Sequence, residues 1–244
     1  MVGTNAKHWK GYYNREALHM KQVYGIWFPE SDTHFNERMI HPNGDYQRDT
    51  FQAAMSYVKE PKIFYDIGAH VGLWSLMAHR AGFRYVEAYE PNPKTFACLQ
   101  KNFEGKDSVV WDKGFCISLR PHGISPLHKY VRIIEEDINN SGAIRVEESD
   151  VENSSGSILS INNRPMHDYI EHFNTKPYEC LVKIDTEGME ADCVLGMDKI
   201  LYALRPVVCV EQRSNQDALR ILQQMGMEIV KQVRKDYILT WKNH

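Results

Sequence analysis

The chain has 244 residues, 43% of them hydrophobic and 25% charged, with a formal net charge of −3. That is enough chain for one large domain with a full core, and it lacks the basic excess of a protein that binds nucleic acid non-specifically. Five cysteines without a C-x-x-C pair, and no apolar run of about 18 residues, argue against a disulfide scaffold and a membrane span. A soluble cytoplasmic protein is expected, with neither nucleic acid nor membrane as a partner.

Residues 1–60 read as an aromatic-rich lead-in that packs on the core. VYGIWF (23–28) is expected as a short strand and PESD (29–32) as a turn. YQRDTFQAAMSYV (46–58) places Phe51, Met55 and Val58 on one helical face, and Pro61 stops it.

Residues 61–244 form the main domain, where short apolar strands alternate with helices. IFYDI (63–67) is followed by a helix over 72–81, closed by Gly82. YVEAY (85–89) precedes a helix over 92–103, with Asn92 as N-cap and Pro93 in the first turn. SVVWD (108–112) is expected as the third strand. Residues 115–165 are polar, with a turn signal at NNSG (139–142), and read as an insertion on the substrate side. Alternation returns with ECLVKID (179–185), a helix from about 187 to 203, RPVVCVE (205–211), and a helix over 217–225. MEIVKQV (227–233) and YILTW (237–241) are close enough to form an antiparallel hairpin.

This order predicts an α/β fold: a doubly wound, mostly parallel seven-stranded sheet with a C-terminal antiparallel hairpin. Ligands bind such sheets at the carboxyl ends of the strands. Chemistry is therefore expected after residues 67, 89, 112, 185 and 211.

After the first strand comes DIGAHVG (66–72). Gly68 permits a tight turn and Gly72 a close helix approach. The loop lacks the third glycine of a dinucleotide fingerprint, and Asp66 would repel a pyrophosphate while suiting a cationic ligand. A purely structural turn is the plainer alternative. After the second strand, Glu90 can accept hydrogen bonds from both hydroxyls of a ribose. The plainer alternative there is a carboxylate at a helix dipole.

DIGAHVG, YEPNP (89–93), VKIDTEGMEADCVLGM (182–197) and RPVVCVE together resemble the FkbM-like family of class I S-adenosylmethionine-dependent methyltransferases, over about residues 63–211. NNSGA (139–143) and MHDYI (166–170) fall where the family has an Asn-x-Gly segment and a short acidic stretch. The resemblance implies a Rossmann-like methyltransferase fold with S-adenosylmethionine as cofactor. Asp66, Gly68 and Gly72 would lie under its methionine part, and Glu90 would bind its ribose. His70, where the family often has Asn, would line the pocket, and Phe115 would meet the adenine. The resemblance favours O-methylation of a hydroxyl on a small molecule or saccharide.

The stretch VKIDTEGMEAD holds four carboxylates. Periodicity assigns Glu190 and Asp192 to an acidic helix start, where the dipole favours them. Thr186 is expected as the N-cap, with Glu187 in the first turn. Asp185 ends an apolar strand and should face the ligand edge, either holding the cofactor's ammonium or accepting a substrate proton. Asp185, Glu187 and Glu211 are the candidate catalytic carboxylates. They could instead hold Mg²⁺; no Cys/His ligand spacing occurs, so zinc is not expected, and a metal-free site is the expectation. An NAD-type Rossmann oxidoreductase and a catalytically inactive binding protein on the same fold are the competing readings.

Overall fold

A computed structural model of the protein describes residues 19–35, 40, 42, 45–104, 115–150, 154–159, 174–212 and 216–242. The lead-in opens as a hairpin, β1 (Met20–Val23) and β2 (Ile26–Pro29), not as one strand over 23–28. Tyr24 and Gly25 both take positive φ, 50° and 79°. Two such residues turn the chain back in the sense that matches strand twist. Helix α1 (Arg48–Met55) follows.

The main sheet holds β3 (Ile63–Ile67), β4 (Tyr85–Tyr89), β5 (Cys116–Arg120), β10 (Cys180–Ile184), β11 (Val207–Glu211), β12 (Met227–Val233) and β13 (Asp236–Trp241). Its order is β12-β13-β11-β10-β3-β4-β5. The five strands from β11 to β5 run parallel, and β13 pairs antiparallel with both β11 and β12, so the sheet is mixed. Helices α2 (Leu73–Arg80) and α3 (Pro93–Asn102) follow β3 and β4. Asn92 caps α3 as its sequence predicts, its side chain accepting from the Lys94 N–H at 3.0 Å beside Pro93.

The expected third strand at 108–112 lies outside the described residues, as does MHDYI. The strand that pairs with β4 is Cys116–Arg120, at the start of the segment expected to be an insertion. The remainder of that segment makes a second sheet from β6 (Gly123–Ile124), β7 (Lys129–Glu135), β8 (Ile144–Ser149) and β9 (Gly156–Leu159), in the order β6-β9-β7-β8.

The helix expected over 187–203 is divided into α4 (Glu190–Gly196) and α5 (Asp198–Leu204). Glu187 and Gly188 have φ of 54° and 108°, left-handed values that cannot start a right-handed helix. At the other end, a Cβ on Gly196 would sit 2.6 Å from the Ser125 backbone, so the glycine admits a close approach there. Helix α6 (Asp217–Gln224) precedes the closing hairpin.

Strands β3, β4 and β10 are buried along their whole length, which is why they read as apolar runs. Three charges interrupt them: Asp66, Glu87 and Lys183, each at most 2% exposed. Charge in such a place needs a partner. Glu87 accepts from the Arg120 Nε at 3.1 Å and the Tyr89 hydroxyl at 2.9 Å. Lys183 and Asp66 lie opposite each other in register, and both face the site.

Candidate functional site

A cavity opens at the carboxyl ends of β3, β4, β10 and β11. Its floor includes Asp66, Ile67, Gly68, Glu90, Lys183, Asp185 and Glu211. The lead-in contributes His34, Phe35, Tyr46 and Gln47. The second sheet and its loops add Gly123, Ile124, Asn140, Ser141, Ile144, Val146 and Ile158. Tyr46 belongs to this wall; Trp27 does not, and both pack against the apolar cluster around Phe28 and Ile40.

The loop after β3 is built tightly. The Gly68 and Ala69 N–H groups both donate to the Tyr89 carbonyl, at 3.0 and 2.9 Å. A Cβ on Gly68 would lie 1.8 Å from the Asp185 carbonyl oxygen, and φ there is +81°, so two strand-end loops meet with no room for a side chain. A Cβ on Gly72 would strike Leu99 at 2.5 Å, which confirms close packing of the loop on α3.

Glu90 is 5% exposed and anchored by two backbone donors. The His70 N–H reaches Oε2 at 2.8 Å and the Asn92 N–H reaches Oε1 at 2.8 Å. Burial pushes this carboxyl up to about 7, against the opposing pull of those donors. Burial likewise raises Asp66 to about 6, although the Ser75 hydroxyl donates to it at 2.5 Å and Lys183 lies near.

Lys183 was not picked out from its strand, although a lone lysine inside LVKI is itself a signal. Its Nζ lies 2.6 Å from Asp236 and 3.5 Å from Asp185, with the Trp74 ring 5.0 Å away. Burial alone would favour the neutral amine, but Asp185 and Asp236 outweigh it and hold the group well above the ordinary lysine range. Replacing Lys183 by Met would strip Asp236 of its buried counter-charge. We expect destabilisation of about 3–5 kcal/mol, read by urea denaturation, and an unchanged midpoint would contradict the pairing.

Asp185 and Glu187 both line the cavity, as does Glu211. Glu190, assigned by periodicity to a helix face, instead turns back and accepts from the Thr186 and Gly188 N–H groups at 3.2 and 2.9 Å. It braces the loop that carries Glu187, a role invisible to helical periodicity because the helix begins three residues later than expected. Asp192 lies on α4 outside this cavity wall. Phe115 is a correction. It precedes β5, at the amino-terminal end of the sheet, and its ring packs at a tilt against His79, centroids 4.0 Å apart, and it is not part of the cavity wall. The misplacement follows from taking 108–112 as the strand.

Among the described residues no group of three or more His, Cys, Asp or Glu side chains is placed to hold a metal ion. All five cysteines are free thiols and buried. No helix among the described residues is long and apolar enough to cross a membrane.

A mixed α/β sheet with a cavity at its strand ends, and a buried carboxylate after the second parallel strand, is an arrangement suited to a nucleotide cofactor. The Methyltransferase FkbM domain matches residues 66–235, and the chain belongs to that family. The matched region is a methyltransferase domain, with S-adenosylmethionine as its cofactor. Among solved structures, the chain is similar to a methyltransferase FkbM from Methylobacillus flagellatus KT, at 18% identity and a TM-score of 0.45 over 83% of this chain and 48% of that one. The chain therefore spans about half the length of that relative. It is also similar to a precorrin-6y C5,15-methyltransferase from Geobacter metallireducens GS-15 (12% identity, TM-score 0.44, 88% of this chain and 96% of that one). A third is a SAM-dependent O-methyltransferase from Thermotoga maritima (14%, TM-score 0.41, 82% and 66%). No curated protein matches the chain.

The residues present fit the cofactor. A carboxylate has about four lone-pair sites, so Glu90 keeps acceptor capacity for hydroxyls in the cavity beyond its two backbone donors. The raised Glu90 value sets a sign for pH dependence. In the protein alone, stability associated with the protonated carboxyl is present at acid pH and lost as pH rises through about 7. Ribose binding by Glu90 would run the other way, because hydroxyls would donate to the ionised form. Affinity for S-adenosylhomocysteine is expected to fall about tenfold from pH 8 to pH 6, measured by calorimetry. A flat profile would contradict ribose binding by Glu90.

Proposed function

We propose that the protein transfers a methyl group from S-adenosylmethionine to a hydroxyl of a small molecule or saccharide. The observation that carries this reading is the single cavity wall shared by Glu90 and Gly68 on one side and Asp185 and Glu211 on the other. Glu90 would take the ribose, and the Asp66–Gly72 loop would lie under the methionine part, with His70 lining it. Asp185, ion-paired to Lys183 and set at the end of β10, is suited to hold a cation and would face the cofactor's ammonium or sulfonium. Glu187 and Glu211 remain candidate carboxylates toward the acceptor.

Methyl transfer from a sulfonium starts from an activated leaving group, so alignment of nucleophile, methyl carbon and sulfur supplies much of the rate. The second sheet and the lead-in would complete the acceptor side of the cavity, with Tyr46, Ile144, Val146 and Ile158 as its walls. The division into a lead-in and a methyltransferase domain belongs to the same proposal, as does a cytoplasmic setting, which free buried thiols support.

The test is transfer from ¹³C-methyl-labelled S-adenosylmethionine to a panel of alcohols, methyl glycosides, amines and thiols. Label is expected as an O-methyl resonance. Label found only as N-methyl or S-methyl would refute the hydroxyl reading while leaving the family assignment intact.

A further inference from the structure

Three side chains from distant parts of the sequence meet at one edge of the cavity. Asp32, in the lead-in, has no exposed surface. Its Oδ1 accepts the backbone N–H groups of His34 and Phe35 at 2.9 and 3.1 Å. Its Oδ2 accepts the Ser141 backbone N–H at 3.0 Å and also the Ser141 hydroxyl. The Ser141 oxygen lies 2.6 Å from Nε2 of His70. The Thr33 and His34 N–H groups bond the Asn139 carbonyl, which fixes the lead-in against the loop between β7 and β8.

Direction follows from donor chemistry. Both Asp32 oxygens already serve as acceptors of backbone N–H groups, so the Ser141 hydroxyl donates its proton to Asp32. The Ser141 oxygen is then left as the acceptor, and Nε2 of His70 must be the donor. In a neutral imidazole with its proton on Nε2, Nδ1 carries the bare lone pair. No described residue bonds that atom, and the ring lines the cavity. The ring is also held firmly. Phe35 lies 4.9 Å from it and Phe28 6.4 Å, and its own N–H, at a left-handed φ of 53°, is bonded to Glu90.

We infer that His70 is the general base of the transfer, its Nδ1 taking the acceptor's hydroxyl proton while Asp32 and Ser141 fix the tautomer. This rests on the O-methylation reading above. The acceptor oxygen forms a bond to the methyl carbon as the carbon–sulfur bond breaks. Its electron pair stays on sulfur, giving S-adenosylhomocysteine, and the hydroxyl proton passes to Nδ1. One positive charge disappears from sulfur and one appears on the imidazolium, so the net charge of the cavity is conserved. Asp32, through Ser141, and Asp185 both face that new charge. In the resting protein burial holds His70 down at about 4 against those two carboxylates, so the ring is neutral at physiological pH.

The experiment combines long-range ¹H–¹⁵N spectra of the ¹⁵N-histidine-labelled protein, loaded with S-adenosylhomocysteine, with kinetics on the panel of alcohols and methyl glycosides. The His70 signals, assigned by their loss in His70→Asn, are expected to report a neutral Nε2–H ring. Ser141→Ala is expected to release it into a mixture of tautomers. A ring protonated on Nδ1 would overturn the inference while leaving O-methylation standing. In turnover at saturating S-adenosylmethionine, His70→Asn is expected to slow transfer to hydroxyls by about 10²–10⁴-fold. A full rate in His70→Asn would equally overturn it. Label passing only to amines or thiols would remove the hydroxyl reading and this base together, even with the tautomer as expected.

Discussion

Replacing Glu90 by Ala is expected to abolish measurable binding of S-adenosylhomocysteine. Each hydrogen bond from a ribose hydroxyl to an ionised carboxylate contributes about 1.5–3 kcal/mol. Losing two would weaken binding by about 10²–10⁴-fold. The variant also removes the acceptor of the His70 and Asn92 N–H groups, which are anchored at 2.8 Å each, so the loop after β3 would loosen as well. Glu90→Gln separates the two effects in part. Its amide keeps one acceptor oxygen but turns a donor toward one of those N–H groups, so it too should bind poorly while melting close to wild type. Calorimetry with parallel thermal denaturation reads both. Wild-type affinity in a folded Glu90→Ala protein would remove the ribose assignment.

Asp185→Asn is expected to lower turnover by about 10²-fold or more, the scale seen when one preorganised electrostatic group is removed from an active site. The substitution keeps the shape of the side chain and removes its charge. Lys183 retains Asp236 at 2.6 Å, so the fold should survive. The Asp185 N–H still bonds the Ile67 carbonyl at 3.0 Å, and Gly68 still packs on the Asp185 carbonyl. A loss of rate therefore reports on the cavity and not on the loop. Full turnover on an identified acceptor would end any functional role for this carboxylate.

The parts of this site that lie one motif from a strand end were legible in the sequence. Asp66, Gly68, Glu90 and Asp185 each follow or close an apolar run, and a parallel sheet delivers such positions to one edge. What could not be read depended on contacts between distant segments. Asp32 sat in a segment read as a turn, and only its bonds to Ser141, 109 residues away, give it meaning. Glu190 braces a loop where a helix face was expected, because left-handed backbone at 187–188 delays the helix, and Gly188 was the one local hint. Phe115 was misplaced because an apolar-looking VVW was taken for the strand that Cys116–Arg120 forms. The apolar neighbours of Lys183 hide its role in the sequence, although a buried charge in such a run demands partners such as Asp236.

The most direct test is a crystal structure of the protein with S-adenosylhomocysteine. The expected result is both ribose hydroxyls within hydrogen-bond distance of the Glu90 oxygens, the amino-acid end beside Asp185, and the sulfur facing open space between His70, Tyr46 and Glu211. Nucleoside density outside this cavity, or a ribose held by other residues with Glu90 untouched, would contradict the account.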